Sequence, residues 1–345
     1  MATALRVGIV GCGNIVRKHH LPNLLRHPDE FRVTSACDVD GPSASRVAEA
    51  CGAKPFVDFR AMIVNEPLDA VLVATPHQLH AEPVLLAATR GLHVLLEKPM
   101  ATTLDDCARM VAACERAGVV FMVAENERYK SNFRAVGKAI RDGLIGDVLA
   151  IRSDVYARGE RRDEPLHWIH DPRQAGGGIV LALAIHRLDV MRWLGGSVQR
   201  VSACFDVGDP LEKLASVQMR FASGAIGHFL SADVPAPPPR SGAMFVMGSA
   251  GTIGVMLPGF GYQGPAMRFT PGAKEPVPLP LEREGLASDD AFEAELLHFA
   301  TCVRSRLEPH TSGRDNLETM RLVFAIYESA VTGKSVELPT HGPDA

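Results

Sequence analysis

Long apolar runs are missing from this chain of 345 residues. None approaches the roughly 18 consecutive apolar residues that cross a bilayer, so no membrane partner is expected. An excess of charge of one sign is missing too. The 36 basic and 40 acidic residues leave a net −4, which gives no electrostatic footprint for nucleic acid. Aromatics are sparse at 6%, beside 46% hydrophobic and 22% charged residues. That balance excludes a disordered chain, which needs low hydrophobicity and high net charge. The seven cysteines, Cys12, Cys37, Cys51, Cys107, Cys114, Cys204 and Cys302, are odd in number and contain no C-x-x-C pair. Among apolar neighbours such as Ala36 and Ala113, they read as buried thiols in a reducing compartment. The opening MATALRVGIVG passes within a few residues into strand-like sequence, leaving no room for a secretory signal. The expected location is cytoplasmic.

The length suggests two domains at about 150 residues each. Apolar runs of buried-strand type occur at 5–10, 31–37, 55–57, 70–74, 92–96 and 119–123. Helical patterns separate several of them, notably at 43–51, 82–89 and 104–117. This alternation predicts βαβ units and a parallel sheet covered on both faces, a doubly wound α/β Rossmann domain over residues 1–124. After Asn126 the character changes. A helix at 133–141 precedes strand-like segments at 148–156, 198–207, 215–221, 225–231 and 243–248, with glycine punctuation that suits antiparallel hairpins. The tract 235–239 (PAPPP) reads as a loop beside an edge strand. Helical periodicity returns at 289–304 and 316–329. Residues 125–345 therefore read as a C-terminal α+β domain with a large, mostly antiparallel open sheet, its last helix free to pack back on the first domain.

The first chemical signal is the turn Gly8-Ile9-Val10-Gly11-Cys12-Gly13-Asn14-Ile15-Val16, at the junction of the first strand and first helix. Gly11 and Gly13 permit a tight turn, and the backbone at Asn14 and Ile15 meets a pyrophosphate at the helix N-terminus. Val16 stands where a third glycine or alanine completes the fingerprint. Asp38 closes the second strand, where a carboxylate accepts hydrogen bonds from ribose hydroxyls and repels a 2′-phosphate. NAD is thus favoured over NADP.

Thr75-Pro76-His77-Gln78-Leu79-His80 follows the third long apolar run, and Glu97-Lys98-Pro99 follows the fourth. Gly176-Gly177-Gly178, then His186-Arg187-Leu188-Asp189, form a third ordered signature in the second half. Together these resemble the glucose–fructose oxidoreductase/inositol dehydrogenase/rhizopine-catabolism (Gfo/Idh/MocA) family over nearly the whole chain. The resemblance implies an oxidoreductase that transfers hydride between a nicotinamide cofactor and a secondary alcohol or ketone of a sugar, sugar derivative or cyclitol. It places Thr75, Pro76, His80, Glu97 and Lys98 beside the cofactor in a cleft between the domains, with a cis Lys98-Pro99 bond that turns Lys98 toward the reacting carbon. It also implies a homodimer or homotetramer built through the open sheet.

Chemistry argues independently for two of these residues. Hydride transfer from a carbinol leaves a proton to be removed and an oxygen to be held. A lysine does both when a desolvated cleft or a nearby cation lowers its pKa, and a histidine titrates near the working pH. Lys98 and His186 are the candidates. One departure matters: the family pattern carries an aspartate four residues before the histidine, and Ala182 stands there. Two further readings stay open on that account. One is an enzyme with transient internal redox, eliminating or hydrolysing without net oxidation; the other is a catalytically silent NAD-binding regulator.

Asn126 and Arg128, after the last Rossmann strand, are expected cleft residues. Tyr156, Arg158, His167, Trp168 and Asp171 lie in the segment that the resemblance assigns to the substrate. Trp168 suits stacking on the apolar face of a sugar ring. No metal is expected, because the pairs His77/His80, His167/His170 and His19/His20 lack Cys, Glu or Asp partners at zinc spacing.

Overall fold

The computed structural model describes residues 3–157, 168–206, 208–235, 242–256, 264–282 and 289–339. The sequence reading draws one boundary near residue 124. The structure divides instead into two compact units, Met1–Asn126 with Leu286–Glu318, and Glu127–Gly285 with Thr319–Ala345.

The first unit is built on β1 (Leu5–Val10), β2 (Phe31–Cys37), β3 (Lys54–Phe56), β4 (Ala70–Val73), β5 (His93–Leu96) and β6 (Phe121–Val123). These form one sheet in the order β3-β2-β1-β4-β5-β6, with every neighbouring pair parallel. Every residue of β4, β5 and β6 is buried, as expected for strands covered on both faces. The covering helices are α1 (Leu21–Arg26), α2 (Gly41–Cys51), α3 (Phe59–Asn65), α4 (Ala81–Thr89) and α5 (Leu104–Ala117). Their starts follow local chemistry. Asp40 caps α2 by accepting the Ser43 N–H, and Thr103 caps α5 by accepting the Asp106 N–H. The chain order in the sheet reverses between β1 and β4, which makes that strand edge the topological switch point where ligands bind in open α/β sheets.

The second unit begins with α6 (Ser131–Arg141), β7 (Val148–Ala157), the short α7 (Pro172–Ala175) and α8 (Ile185–Gly195). Then follow β8 (Val198–Phe205), β9 (Leu214–Phe221), β10 (Ile226–Asp233), β11 (Gly242–Gly248), β12 (Gly251–Met256), β13 (Met267–Phe269) and β14 (Val277–Pro278). With β15 (Val336–Glu337) they make a nine-stranded sheet in the order β14-β13-β12-β11-β7-β10-β9-β8-β15. Within this sheet the β7–β10 pair is parallel and the other described pairs are antiparallel. Burial alternates along β9, with Ala215, Val217, Met219 and Phe221 inside and Leu214, Gln218 and Arg220 exposed, so one face of the sheet is the core. The proline tract corrects one expectation. Residues 236–241 lie outside the described residues, but the strands on either side, β10 and β11, both sit inside the sheet and not at its edge.

The chain then enters α9 (Ala291–Ser305) and α10 (Gly313–Thr332). Helix α9 belongs to the first unit: Glu293 meets His27 at 2.6 Å, and Phe292 stacks on His19 with ring centroids 4.3 Å apart. The division between the units falls within α10. Five of the seven cysteines are buried and none is in a disulfide; Cys51 is half-buried and Cys204, on β8, is exposed.

Candidate functional site

The first unit brings ten of the expected residues to the carboxyl ends of adjacent strands. Gly11 follows β1 with φ +95°, and a Cβ there would lie 2.4 Å from the Ala74 carbonyl oxygen. Only glycine lets the turn lie against the end of β4 in this way. The turn is fastened on its other side by Asp38, whose carboxylate accepts the Cys12 N–H at 2.7 Å and the Asp40 N–H at 2.9 Å. Gly13 and Asn14 are exposed, and a Cβ on Gly13 would meet nothing within 4 Å. Ile15 is half-buried, and the helix then makes a π turn over Val16–His20, starting at the position of the missing third glycine. π turns inside helices recur at functional sites.

Two further loops complete this edge. Thr75 and Pro76 follow β4, and the buried Thr75 hydroxyl has no hydrogen-bond partner among the described residues. Glu97 and Lys98 follow β5, and the Lys98-Pro99 peptide is cis. Glu97 is buried; its Oε1 lies 2.7 Å from His20 Nε2 and its Oε2 accepts the Lys98 N–H at 3.1 Å. Its carboxylate thus holds the backbone that presents Lys98, which is itself half-buried. His80 is fully buried between the two loops, with Nδ1 2.9 Å from the Pro99 carbonyl and Nε2 2.9 Å from the Thr75 carbonyl. Burial pushes the His80 imidazolium down, and a neutral ring donates through only one of these nitrogens. His80 therefore contributes by tying the loops together.

The second unit places its expected residues differently from one another. His186 is half-buried at the start of α8, directly after a second π turn over Val180–Ala184 that carries the half-buried Ala182. Arg128, expected in the cleft, is buried and committed to Asp189, with Nη2 2.6 Å from Oδ1. Asp189 also accepts the Thr319 hydroxyl at 2.7 Å, so it is no substitute for the absent aspartate. Breaking such a buried pair by removing one partner typically costs about 3–5 kcal/mol. Tyr156, one residue before the end of β7, is half-buried, its phenol pushed up by burial and by Asp154. Trp168 is half-buried in a 3₁₀ turn, Asp171 caps α7, and Asn126, the last residue of the first unit's main segment, is half-buried. Arg158 and His167 lie outside the described residues.

Sequence reasoning passed over two glutamates here. Glu127 receives Arg187 at 2.9 Å and Lys130 at 2.8 Å. Burial opposes its charge, but Arg187, Lys130 and His186 together hold it well below the usual carboxylate range. It is thus a carboxylate in the electrostatic surroundings of His186. Glu212 explains the glycine triplet: its carboxylate accepts the Gly178 and Val180 N–H groups at 2.8 and 2.9 Å and the Tyr327 hydroxyl at 2.7 Å. No spacing pattern links Glu212 to the triplet 34 residues before it.

An open glycine turn, an acidic end to β2 and an unpartnered Thr75 hydroxyl at one strand edge fit a dinucleotide. The fold and this edge define a dinucleotide-binding protein of Rossmann type. Residues 5–125 match the family described as oxidoreductase, NAD-binding Rossmann fold, of the GFO/IDH/MocA group, and residues 133–254 match the GFO/IDH/MocA C-terminal domain. A D-apiose dehydrogenase of Paraburkholderia graminis is 34% identical, over 96% of this chain and 88% of its own. A 1,5-anhydro-D-fructose reductase of Ensifer adhaerens is 29% identical over 97% and 99%. Among solved structures, the WlbA dehydrogenase from Bordetella pertussis, in complex with NADH and UDP-GlcNAcA, superimposes with a TM-score of 0.84 at 28% identity, covering 98% of this chain and 100% of that one. The chain belongs to the Gfo/Idh/MocA oxidoreductase family. It is accordingly a nicotinamide-dependent enzyme of CH–OH groups.

Proposed function

We propose that this enzyme is an NAD-dependent dehydrogenase that oxidises a secondary alcohol of a sugar, sugar derivative or cyclitol, or reduces the matching ketone. The observation that carries the reading is Lys98, presented by Glu97 at the same strand edge as the Gly11–Gly13 turn and Asp38. The dinucleotide, when bound, supplies the hydride acceptor. Everything else is asked of side chains. The Lys98 ammonium holds the substrate oxygen and, in its neutral form, takes the hydroxyl proton. His186 accepts or returns that proton, with the Glu127 carboxylate in its surroundings. Asn126, Tyr156 and Trp168 contact the substrate, the indole against the apolar face of the ring. Arg128 acts at one remove, through Asp189. Gly11, Gly13, Asn14, Ile15, Asp38, Thr75 and Pro76 hold the cofactor, and the Asp38 carboxylate selects NAD over NADP. The names of the relatives support a sugar substrate. The half-exposed sheet of the second unit supports assembly into a homodimer or homotetramer, and the absence of disulfides among the described residues supports a reducing, cytoplasmic setting.

The test is NADH formation from NAD on a panel of sugars and cyclitols, repeated with Lys98→Ala. The variant is expected to lose turnover by about 10²–10⁴-fold, the usual range for a positioned acid–base group, with NAD binding retained. Ala182 favours one second reading, internal redox without net oxidation. Its mark is a cofactor that copurifies and does not exchange while no NADH accumulates.

A further inference from the structure

The helical stretch that carries His186 starts without a cap of its own. Its first intrahelical bond runs from the Ala182 N–H to the Gly178 carbonyl at 2.9 Å. The N–H groups of Gly178, Ile179 and Val180 come before that bond and are the orphan donors that a helix start exposes. A serine, threonine, asparagine or aspartate just ahead of the first turn usually accepts one of them. Here the approach is Gly176-Gly177-Gly178, which has no side chain to offer, and Ile179 makes no side-chain cap bond.

One residue, distant in sequence, accepts all three. Glu212 lies in the connection between β8 and β9 and is buried. Its Oε2 accepts the Gly178 N–H at 2.8 Å, its Oε1 the Val180 N–H at 2.9 Å, and its backbone carbonyl the Ile179 N–H at 2.9 Å. The Tyr327 hydroxyl on α10 donates to Oε1 at 2.7 Å. Gly177 and Gly178 leave the room that Tyr327 and Glu212 occupy. A carboxylate in this place meets the positive end of the helix dipole as well as its donors.

The cap holds a turn of unusual pitch. Val180–Ala184 is a π turn, one residue wider than an α turn, and it begins at a residue that Glu212 grips. The other fixings of this stretch lie past His186. Arg187 meets Glu127 at 2.9 Å, and Asp189 meets Arg128 at 2.6 Å. His186 therefore stands between the Glu212 cap and these ion pairs. Relaxation of the π turn to an α course would rotate the residues before it by about 100° against α8, one residue's share of a 3.6-residue turn.

We propose that Glu212 is a positioning residue for His186: it caps the helical stretch that carries the imidazole and keeps its π turn wound, so that Ala182 and His186 hold their places. The consequence for turnover rests on the catalytic reading of His186; the cap and the placement do not.

The experiment compares the full chain with Glu212→Gln and Glu212→Ala. Glutamine keeps the shape and one acceptor oxygen, whereas alanine empties the space in front of the Gly178 and Val180 N–H groups. The first readout is amide hydrogen exchange, in which Gly178 and Val180 exchange about tenfold faster or more in Glu212→Ala. The second is the rate at which an imidazole-directed reagent labels His186, measured on its own peptide, with His228 on β10 of the same unit as the control. The His186 rate departs from the wild type by about threefold or more in both variants, and the His228 rate stays within about twofold. Formate supplies a free carboxylate to the emptied space. Added to Glu212→Ala, it returns the His186 rate to within about twofold of the wild type, and chloride at the same concentration does not. A His186 rate that is unchanged in both variants, that changes in step with His228, or that formate fails to restore overturns the proposal. Should the alanine variant not fold, the His186 and His228 rates in Glu212→Gln decide. None of these readouts uses turnover. A His186 that responds as expected in a protein forming no NADH with any substrate refutes the dehydrogenase reading alone.

Discussion

Two glycine clusters in this chain look alike in sequence and differ in what surrounds them in the structure. Around Gly13 there is open space, with no atom within 4 Å of where a Cβ would stand. Around Gly178 there is none: a Cβ would sit 2.1 Å from the Glu212 carbonyl oxygen and 2.4 Å from its backbone nitrogen. Gly177 is similarly closed, with the Tyr327 hydroxyl 2.2 Å from its absent Cβ. The first cluster is open at Gly13, whereas the second is filled by the protein's own backbone and side chains. A glycine motif alone does not announce a binding site; what occupies the missing side chain's place decides it.

Substitution at the two clusters should therefore separate stability from binding. Gly178→Ala is the largest expected effect. It drives a methyl into backbone that cannot move aside, and the loss of stability should exceed about 4 kcal/mol, as for severe overpacking. Thermal unfolding or loss of soluble protein checks it, and a midpoint close to the wild type's would break the comparison. Gly13→Ala should leave the melting midpoint nearly unchanged while weakening NAD binding by about tenfold or more, equivalent to about 1.4 kcal/mol. Titration calorimetry reads this directly. Unchanged affinity would mean that Gly13 does not border the cofactor. Asp38→Ala should have the smallest effect. It removes the carboxylate opposed to a 2′-phosphate and should narrow the preference for NAD over NADP by about tenfold, measured as the ratio of the two affinities.

The first unit was legible because its signals are local. Buried parallel strands announce themselves as continuous apolar runs, and the residues of its site follow strands within a few positions, as Asp38 follows β2 and Lys98 follows β5. What was hidden depends on partners distant in sequence. Arg128 reads as a cleft cation until Asp189, 61 residues on, takes up its guanidinium. The division of the chain was hidden for the same reason. Helix α9 has ordinary amphipathic periodicity, and partners far away in sequence, such as His27 and His19, show that it lies in the first unit. The strands β13 to β15 are only two or three residues long and give no periodic pattern to read. The π turns that lead into α1 and α8 carry no sequence mark apart from Val16 and Ala182, each already a departure from pattern.

The central claim is that Lys98 performs proton transfer in an NAD-dependent oxidation. It is tested most directly by following NADH formation across the sugar and cyclitol panel with wild type and Lys98→Ala at matched NAD occupancy. Turnover by the wild type that falls by about 10²-fold or more in the variant is the expected result. Turnover that survives the loss of Lys98 would contradict the account.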